Sequence, residues 1–455
     1  MKFVAIPYQP DADFVQKGQK NEVPRPHFPS FSRINEELIK PEDIPLNRRC
    51  FVYTPCAANE LFKTLKYATS EYPFEKAGFN YMDRADDLAV AENRNDMVGV
   101  QEPLGWRTAR CDACIKEGTA YWELEVLKDG GLEIPPGGSV KSLKDKLNSV
   151  PHVRFGVSRR EASLECPVGF DIYGYGVRNF SMESIHDGKL AQVLPTGHIK
   201  AGDRLSFVLH LPTVQEQISQ AQSFTEAKLN ALSSYAESTT EGPVKKRAKK
   251  LGREFQKDLL RDQDYTNVIR DQIAIRYKNQ LFFEATDYVK TTKPEYYTSD
   301  KRERHEFYSL RDSYLKVYLN GKELGSAFEN LKPFLPPFSE LKYNEKLYFN
   351  HWRNEISTGV ATENIGAGHD ERQTSSILRN KYVNNGRLGY YPTVSCFNGG
   401  SAKIITSQDD LKYWDTIRCQ FPEIKTIDDI LQEQIADDIV WDIIDEVEAE
   451  IVSDD

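Results

Sequence analysis

Cys111 and Cys114 form the one C-x-x-C in a chain with seven cysteines, a spacing that can hold zinc or run thiol exchange. A structural zinc needs four ligands, and neither a second Cys pair nor a nearby His pair accompanies this one, so the two read as ordinary cysteines around a turn. The eight histidines are scattered singly. His152, His198 and His210 sit in or beside strand patterns, where a histidine is ordinarily structural. No G-x-S-x-G elbow, H-E-x-x-H, Walker A loop or G-x-G-x-x-G after a strand is present. The chain is therefore expected to be non-catalytic, with no cofactor and no small-molecule substrate.

The chemistry that remains is charge recognition. In HVRFGVS, Val153, Phe155 and Val157 share one face and leave Arg154 on the other, where its guanidinium is available for bidentate pairing with carboxylates. Arg178, beside Asn179 in a turn after GYGV, could complete such a clamp. Lys245, Lys246, Arg247, Lys249 and Lys250, followed by Arg253, form a basic run that reads as a nuclear import signal, an electrostatic contact to DNA phosphate or a solvated linker.

The elements that must position these residues are mostly strands. Of 455 residues, 39% are hydrophobic and 11% aromatic, with 23 Tyr and 23 Phe, a composition that favours β structure. YWELEVL alternates with Trp122, Leu124 and Val126 on one face, and RCFVYT from Arg49 and DRLSFVLHLP are further strands. SYLKVYLNGKELG reads as a hairpin turning at Asn320-Gly321, and YYPTVSCFNGG as a strand that ends in an Asn398-Gly399 turn. Two polar stretches interrupt the series, about 214–275 and about 339–387, while residues 1–45 are rich in Pro and charge and read as a tail. The net charge of −10 argues against a surface built throughout for nucleic acid. No run of about 18 apolar residues exists and no leader pattern opens the chain, so an intracellular protein that is not in a membrane is expected.

The end of the chain, FPEIKTIDDILQEQIADDIVWDIIDEVEAEIVSDD, is an acidic amphipathic helix. Ile435, Ala436, Ile439, Val440, Ile443, Ile444, Val447 and Ile451 fall within about half of the circumference at 3.6 residues per turn. Thr426 with Asp429 three residues on is a capping-box variant that starts it. Ile427, Ile430, Leu431 and Trp441 lie on the opposite side, so they either dock on the chain's own domain or mark a kink near Gln434. The later stripe packs either on the same domain or in a partner's groove.

AYWELEV, HVRFGVSRREASLECPVGFDIYGYGVRN, GDRLSFVLHL, LKVYLNGKELG and YYPTVSCFNGG together resemble a SPRY (B30.2-like) domain. More narrowly, the chain is similar to the ASH-two/BRE-two family, the SPRY subunit of COMPASS and MLL-type histone methyltransferase complexes, in its fungal form. The implied fold is all-β: an antiparallel β-sandwich with two polar inserts and a C-terminal amphipathic helix. Its expected divisions are a tail (1–45), SPRY first part (46–213), a basic insert, helical or disordered (214–275), SPRY second part (276–410) and the terminal helix (411–455).

The resemblance also implies partners. A WD-repeat propeller subunit of the retinoblastoma-binding-protein-five/Swd-one type is expected to place an acidic segment on Trp106, Arg154, Pro167, Phe170 and Arg178. Phe170 and Phe180 depart from the family's Tyr and Lys, which makes the pocket less polar. A Dpy-thirty/Sdc-one-type dimer is expected on Ile435, Ile439, Val440, Ile443, Val447 and Ile451, and deletion of 430–455 to abolish it while leaving the sandwich intact. A SET-domain catalytic subunit completes the implied complex, with nucleosomal DNA as a further partner through the basic run. The expected role is nuclear: a scaffold supporting histone-3 lysine-4 methylation, transcription regulation and telomeric silencing. A SPRY receptor for ubiquitin ligation and a free DNA-contacting protein are the rival readings.

Overall fold

The computed structural model describes residues 31–34, 37–41, 44–47, 51–58, 67–69, 74–92, 94–129, 150–237, 272–278, 280–286, 308–335 and 387–453. Their strands, numbered in chain order, form three sheets. A ten-stranded sheet runs β1 (Phe31–Arg33), β2 (Leu38–Pro41), β6 (Leu88–Ala91), β7 (Met97–Val100), β20 (Ser401–Ile405), β9 (Gly118–Lys128), β14 (Arg204–Leu211), β17 (Tyr314–Leu319) and β18 (Lys322–Glu329), with β21 (Lys425–Thr426) beside β9. A seven-stranded sheet runs β13 (Lys189–Ala191), β12 (Ser184–His186), β11 (Gly174–Arg178), β10 (His152–Ser158), β19 (Tyr391–Phe397), β8 (Arg107–Cys111) and β5 (Phe79–Arg84). The third is β15 (Gln272–Tyr277), β16 (Gln280–Thr286), β3 (Phe51–Ala58) and β4 (Tyr67–Thr69). Among the described pairings only β21 with β9 is parallel.

The two large sheets share one core, so the expected antiparallel sandwich is the observed one. Trp122, Leu124, Val126 and Phe207 come to it from one sheet, and Val153, Phe155, Val177 and Val394 from the other. The alternation read in YWELEVL has a cause on both sides. Trp122 stacks on Phe207 at 5.4 Å inside, while Tyr121 packs outward with Trp414 and Ile417 of helix α2 (Trp414–Gln420) in a second cluster. Glu123, on that outer face, is fully buried and accepts from Tyr121 Oη (2.7 Å), Arg204 Nη1 (3.2 Å), Lys412 N (3.1 Å) and Tyr413 N (2.8 Å). A buried carboxylate held by four donors fixes the segment leading to the terminal helix onto the sheet.

Both Asn-Gly turns are left-handed at both residues, with φ of 50° and 82° at Asn320-Gly321 and 48° and 89° at Asn398-Gly399, the geometry such pairs favour. The first closes the β17–β18 hairpin. The second instead passes the chain from the seven-stranded sheet to the ten-stranded one.

The structure also departs from the sequence expectations. The segment read as a tail, 1–45, carries β1 and β2, and Leu38 and Ile39 are buried against β6. Two adjacent apolar residues in a charged context give no periodic signal, which is why the strand was not expected. Strands β6 and β7 are buried along their whole length and so show no alternation either. The first insert opens as α1 (Val214–Glu237), started by a Thr213–Glu216 capping box. Its end overlaps β15, which begins at Gln272. All but the last residue of the second insert (339–387) lies outside the described residues.

Candidate functional site

Arg154 and Arg178 stand opposite one another in the β10–β11 register, so both project from the outer face of the seven-stranded sheet. The segment 166–168 is drawn across that face: Thr108 Oγ1 donates to the Cys166 carbonyl (2.7 Å) and Val168 N to Ser395 Oγ (2.9 Å). Gly176 permits this approach, since a Cβ there would lie 2.5 Å from the Val168 carbonyl. Under this strap Arg154 is only 8% exposed. Its guanidinium lies 4.8 Å over the Trp106 ring and donates from Nη1 to the Val168 carbonyl at 3.3 Å.

No carboxylate among the described residues pairs with Arg154, and its buried Nε has no hydrogen-bond partner. Burial, with the like charge of Arg178 adding to it, brings the Arg154 guanidinium down to about 9. A buried cation next to a second cation is complementary to an anion. Arg178 is differently placed: its Nη1 donates to Glu183 Oε2 at 2.7 Å, and Ser181 Oγ donates to the same oxygen at 2.5 Å. Pro167 and Phe170 follow on the strap, Phe170 N donating to the Pro167 carbonyl at 3.0 Å. The Phe170 side chain is 56% exposed.

The terminal helix, α3 (Ile427–Ser453), is unbroken. The Thr426–Asp429 box forms with Thr426 N and Oγ1 donating to Asp429 Oδ2 (2.9 and 2.8 Å) and Asp429 N returning to Thr426 Oγ1 (3.1 Å). Ile427, Ile430 and Leu431 enter the main core. Gln434 Nε2 donates to the Cys114 carbonyl (2.8 Å), and Arg387 pairs with Asp438. The inner face thus turns polar after the first two turns and stays against the molecule, with Asp442 and Glu446 also buried. On the opposite face Ile439, Val440, Ile443, Ile444 and Val447 are between 36% and 55% exposed.

This placement corrects one residue of the expected stripe. Ile435 packs against the main core, one turn beyond Leu431, and is not part of the outward face. Trp441 is half-buried, and the side chain of Ile451 lies outside the described residues. It also moves the cut for a deletion: starting at 430 would remove Ile430 and Leu431 from the core. Lys245, Lys246, Arg247, Lys249 and Lys250 lie outside the described residues.

Cys111 and Cys114 are both buried, and Cys114 Sγ donates to the Arg387 carbonyl at 3.2 Å. Burial pushes the Cys114 thiol up to about 11 and the Cys111 thiol higher still. Both are thiols near neutral pH. Among the described residues no group of three or more His, Cys, Asp or Glu is arranged around a metal position. Glu183 and Arg387 escaped the sequence reading because a lone charge carries no periodic signal.

No family model matches the chain. It is 49% identical to the COMPASS component BRE2 of Saccharomyces cerevisiae, across 98% of this chain and 99% of that protein. It is 28% identical to the COMPASS component cclA of Aspergillus oryzae over 89% of the chain, and 26% identical to the Set1 complex component ash2 of Schizosaccharomyces pombe over 93%. The matched lengths are 59% and 48% of those two longer proteins. Among solved structures, the SPRY domain of human HERC1 aligns with 73% of this chain and 99% of its own at 11% identity and a TM-score of 0.29.

Proposed function

The chain belongs to the BRE2/ash2 family of COMPASS components, and on that premise we propose that it is a non-catalytic scaffold with two docking surfaces. The cationic face around Arg154 takes an acidic segment of the WD-repeat propeller subunit. The outward stripe of α3 takes the Dpy-thirty-type dimer. Together they hold the SET-domain subunit in its ordered, active arrangement, a population shift that raises histone-3 lysine-4 methylation without adding a reacting group. The setting is the nucleus, with the basic run 245–250 serving import or DNA phosphate contact.

The observation that carries this reading is the orientation of α3, with Asp438, Asp442 and Glu446 turned toward the molecule and five aliphatic side chains turned outward. Burying the half of each that is still exposed contributes roughly 1 kcal/mol, a sum that works against the cost of ordering and association. The test is removal of residues 439–455, which spares Ile430, Leu431, Gln434 and Asp438. The truncated chain is expected to keep its thermal transition and its propeller binding and to lose the dimer on co-purification. A dimer that still co-purifies would refute the assignment.

A further inference from the structure

The outer face of the seven-stranded sheet carries more than two arginines. His152 has the strand parity of Arg154 and is in register with Phe397 of β19, so the same face carries an aromatic row alongside the cations. Ring centroids step from Trp106 to Phe397 at 5.3 Å, to His152 at 6.0 Å, to Phe180 at 6.2 Å and to His198 at 6.1 Å. None of the five belongs to the main hydrophobic core, and all are part-exposed. The row starts at the ring beneath Arg154 and passes within two residues of Arg178. Phe180 is held there by Asn179, which donates N to the Val153 carbonyl (3.2 Å) and accepts Val153 N on Oδ1 (3.3 Å).

We infer that this row is a second subsite of the same surface, taking aromatic or large aliphatic side chains from an extended acidic segment of a partner while Arg154 and Arg178 take its carboxylates. The inference rests on the acid-binding role given to Arg154 above. Two observations select this occupant. The buried, carboxylate-free Arg154 demands an anion. The ring steps of 5.3–6.2 Å lie close to the roughly 6.6 Å between same-side residues of an extended strand, so alternate side chains of one segment fall on successive rings. Part-exposed rings favour offset or edge stacking with such residues. A segment with acids alone fills only half of the surface.

The test is fluorescence anisotropy on the full chain with two labelled acidic peptides, identical except that one has Phe and the other Ala at alternate positions flanking the acids. The Phe peptide is expected to bind about ten-fold tighter, a difference of one decade in Kd. Phe180→Ala brings the two affinities together, and Arg154→Glu abolishes both. Equal affinities on the unmutated chain, with Arg154→Glu still abolishing binding, would overturn the aromatic subsite and spare the acid site. Binding of both peptides that survives Arg154→Glu would overturn the acid site and this inference with it. The comparison on the unmutated chain needs no variant to fold.

Discussion

At the scale of residues, the two arginines of the candidate site differ in what they already hold. Arg178 shares its guanidinium with Glu183 at 2.7 Å, whereas among the described residues Arg154 faces a ring, a carbonyl and another cation. An incoming carboxylate must therefore compete with Glu183 for Arg178. Glu183→Gln is expected to tighten binding of an acidic peptide about three- to ten-fold at low salt, with the gain shrinking as salt screens it. Weaker binding would show that Glu183 serves instead to hold Arg178 in place. Asp83 is the contrasting case of a settled buried charge. It lies between Arg110, which donates at 2.8 and 2.9 Å, and Arg160. Burial works to raise its carboxyl, but the two arginines overcome this and hold it below the ordinary carboxylate value. Its contribution is thus in place above that ordinary value and is lost as pH falls through the folded one. Asp83→Asn should cost about 3–5 kcal/mol in denaturant unfolding near neutral pH, because Arg110 stays buried. The gap from the unmutated chain should narrow below about pH 4.

At the scale of elements, α3 is one continuous helix with two regimes. Its first turns belong to the domain: the capping box sets the start, β21 pairs with β9, and Leu431 is 1% exposed. Leu431→Ala should cost about 2–5 kcal/mol in chemical denaturation, as a cavity in a packed core does, and Thr426→Ala about 1 kcal/mol through the lost cap. Ile443→Ala, on the outward face, should stay within about 0.5 kcal/mol of the parent. A large stability loss for Ile443→Ala would place that face against the chain itself. The cap, the early docked residues and the exposed stripe were all legible in the sequence. Ile435 was not, because an amphipathic wheel gives a direction but not the depth at which the domain surface ends. Arg387 and Gln434 set that depth, and their contact joins residues 47 apart.

At the scale of the molecule, the two proposed surfaces sit on different elements and share no described side-chain partner. Their variants should therefore be independent. Arg154→Glu is expected to lose the propeller subunit and keep the Dpy-thirty-type dimer, while Ile443→Asp does the reverse. Co-purification from a reconstituted complex reads both. Loss of both partners by either single variant would mean that the surfaces are coupled or that the sandwich has failed, and a thermal melt separates those outcomes.

The sequence by itself determined the all-β class, both Asn-Gly turns, the inward set Trp122, Leu124 and Val126, and the outward placement of Arg154, because each follows from strand parity or local turn chemistry. It left the first two strands and the fully buried β6 and β7 unseen, since short or uniformly apolar runs carry no period. Only the tertiary structure decided that Arg154 is buried with no carboxylate partner among the described residues, that Arg178 is held by Glu183, and that His152, Phe180 and Phe397 align beside them. Those facts depend on register between strands far apart in the chain, such as His152 with Phe397, 245 residues apart, and pairing over that distance is fixed by how sheets pack, not by any local pattern.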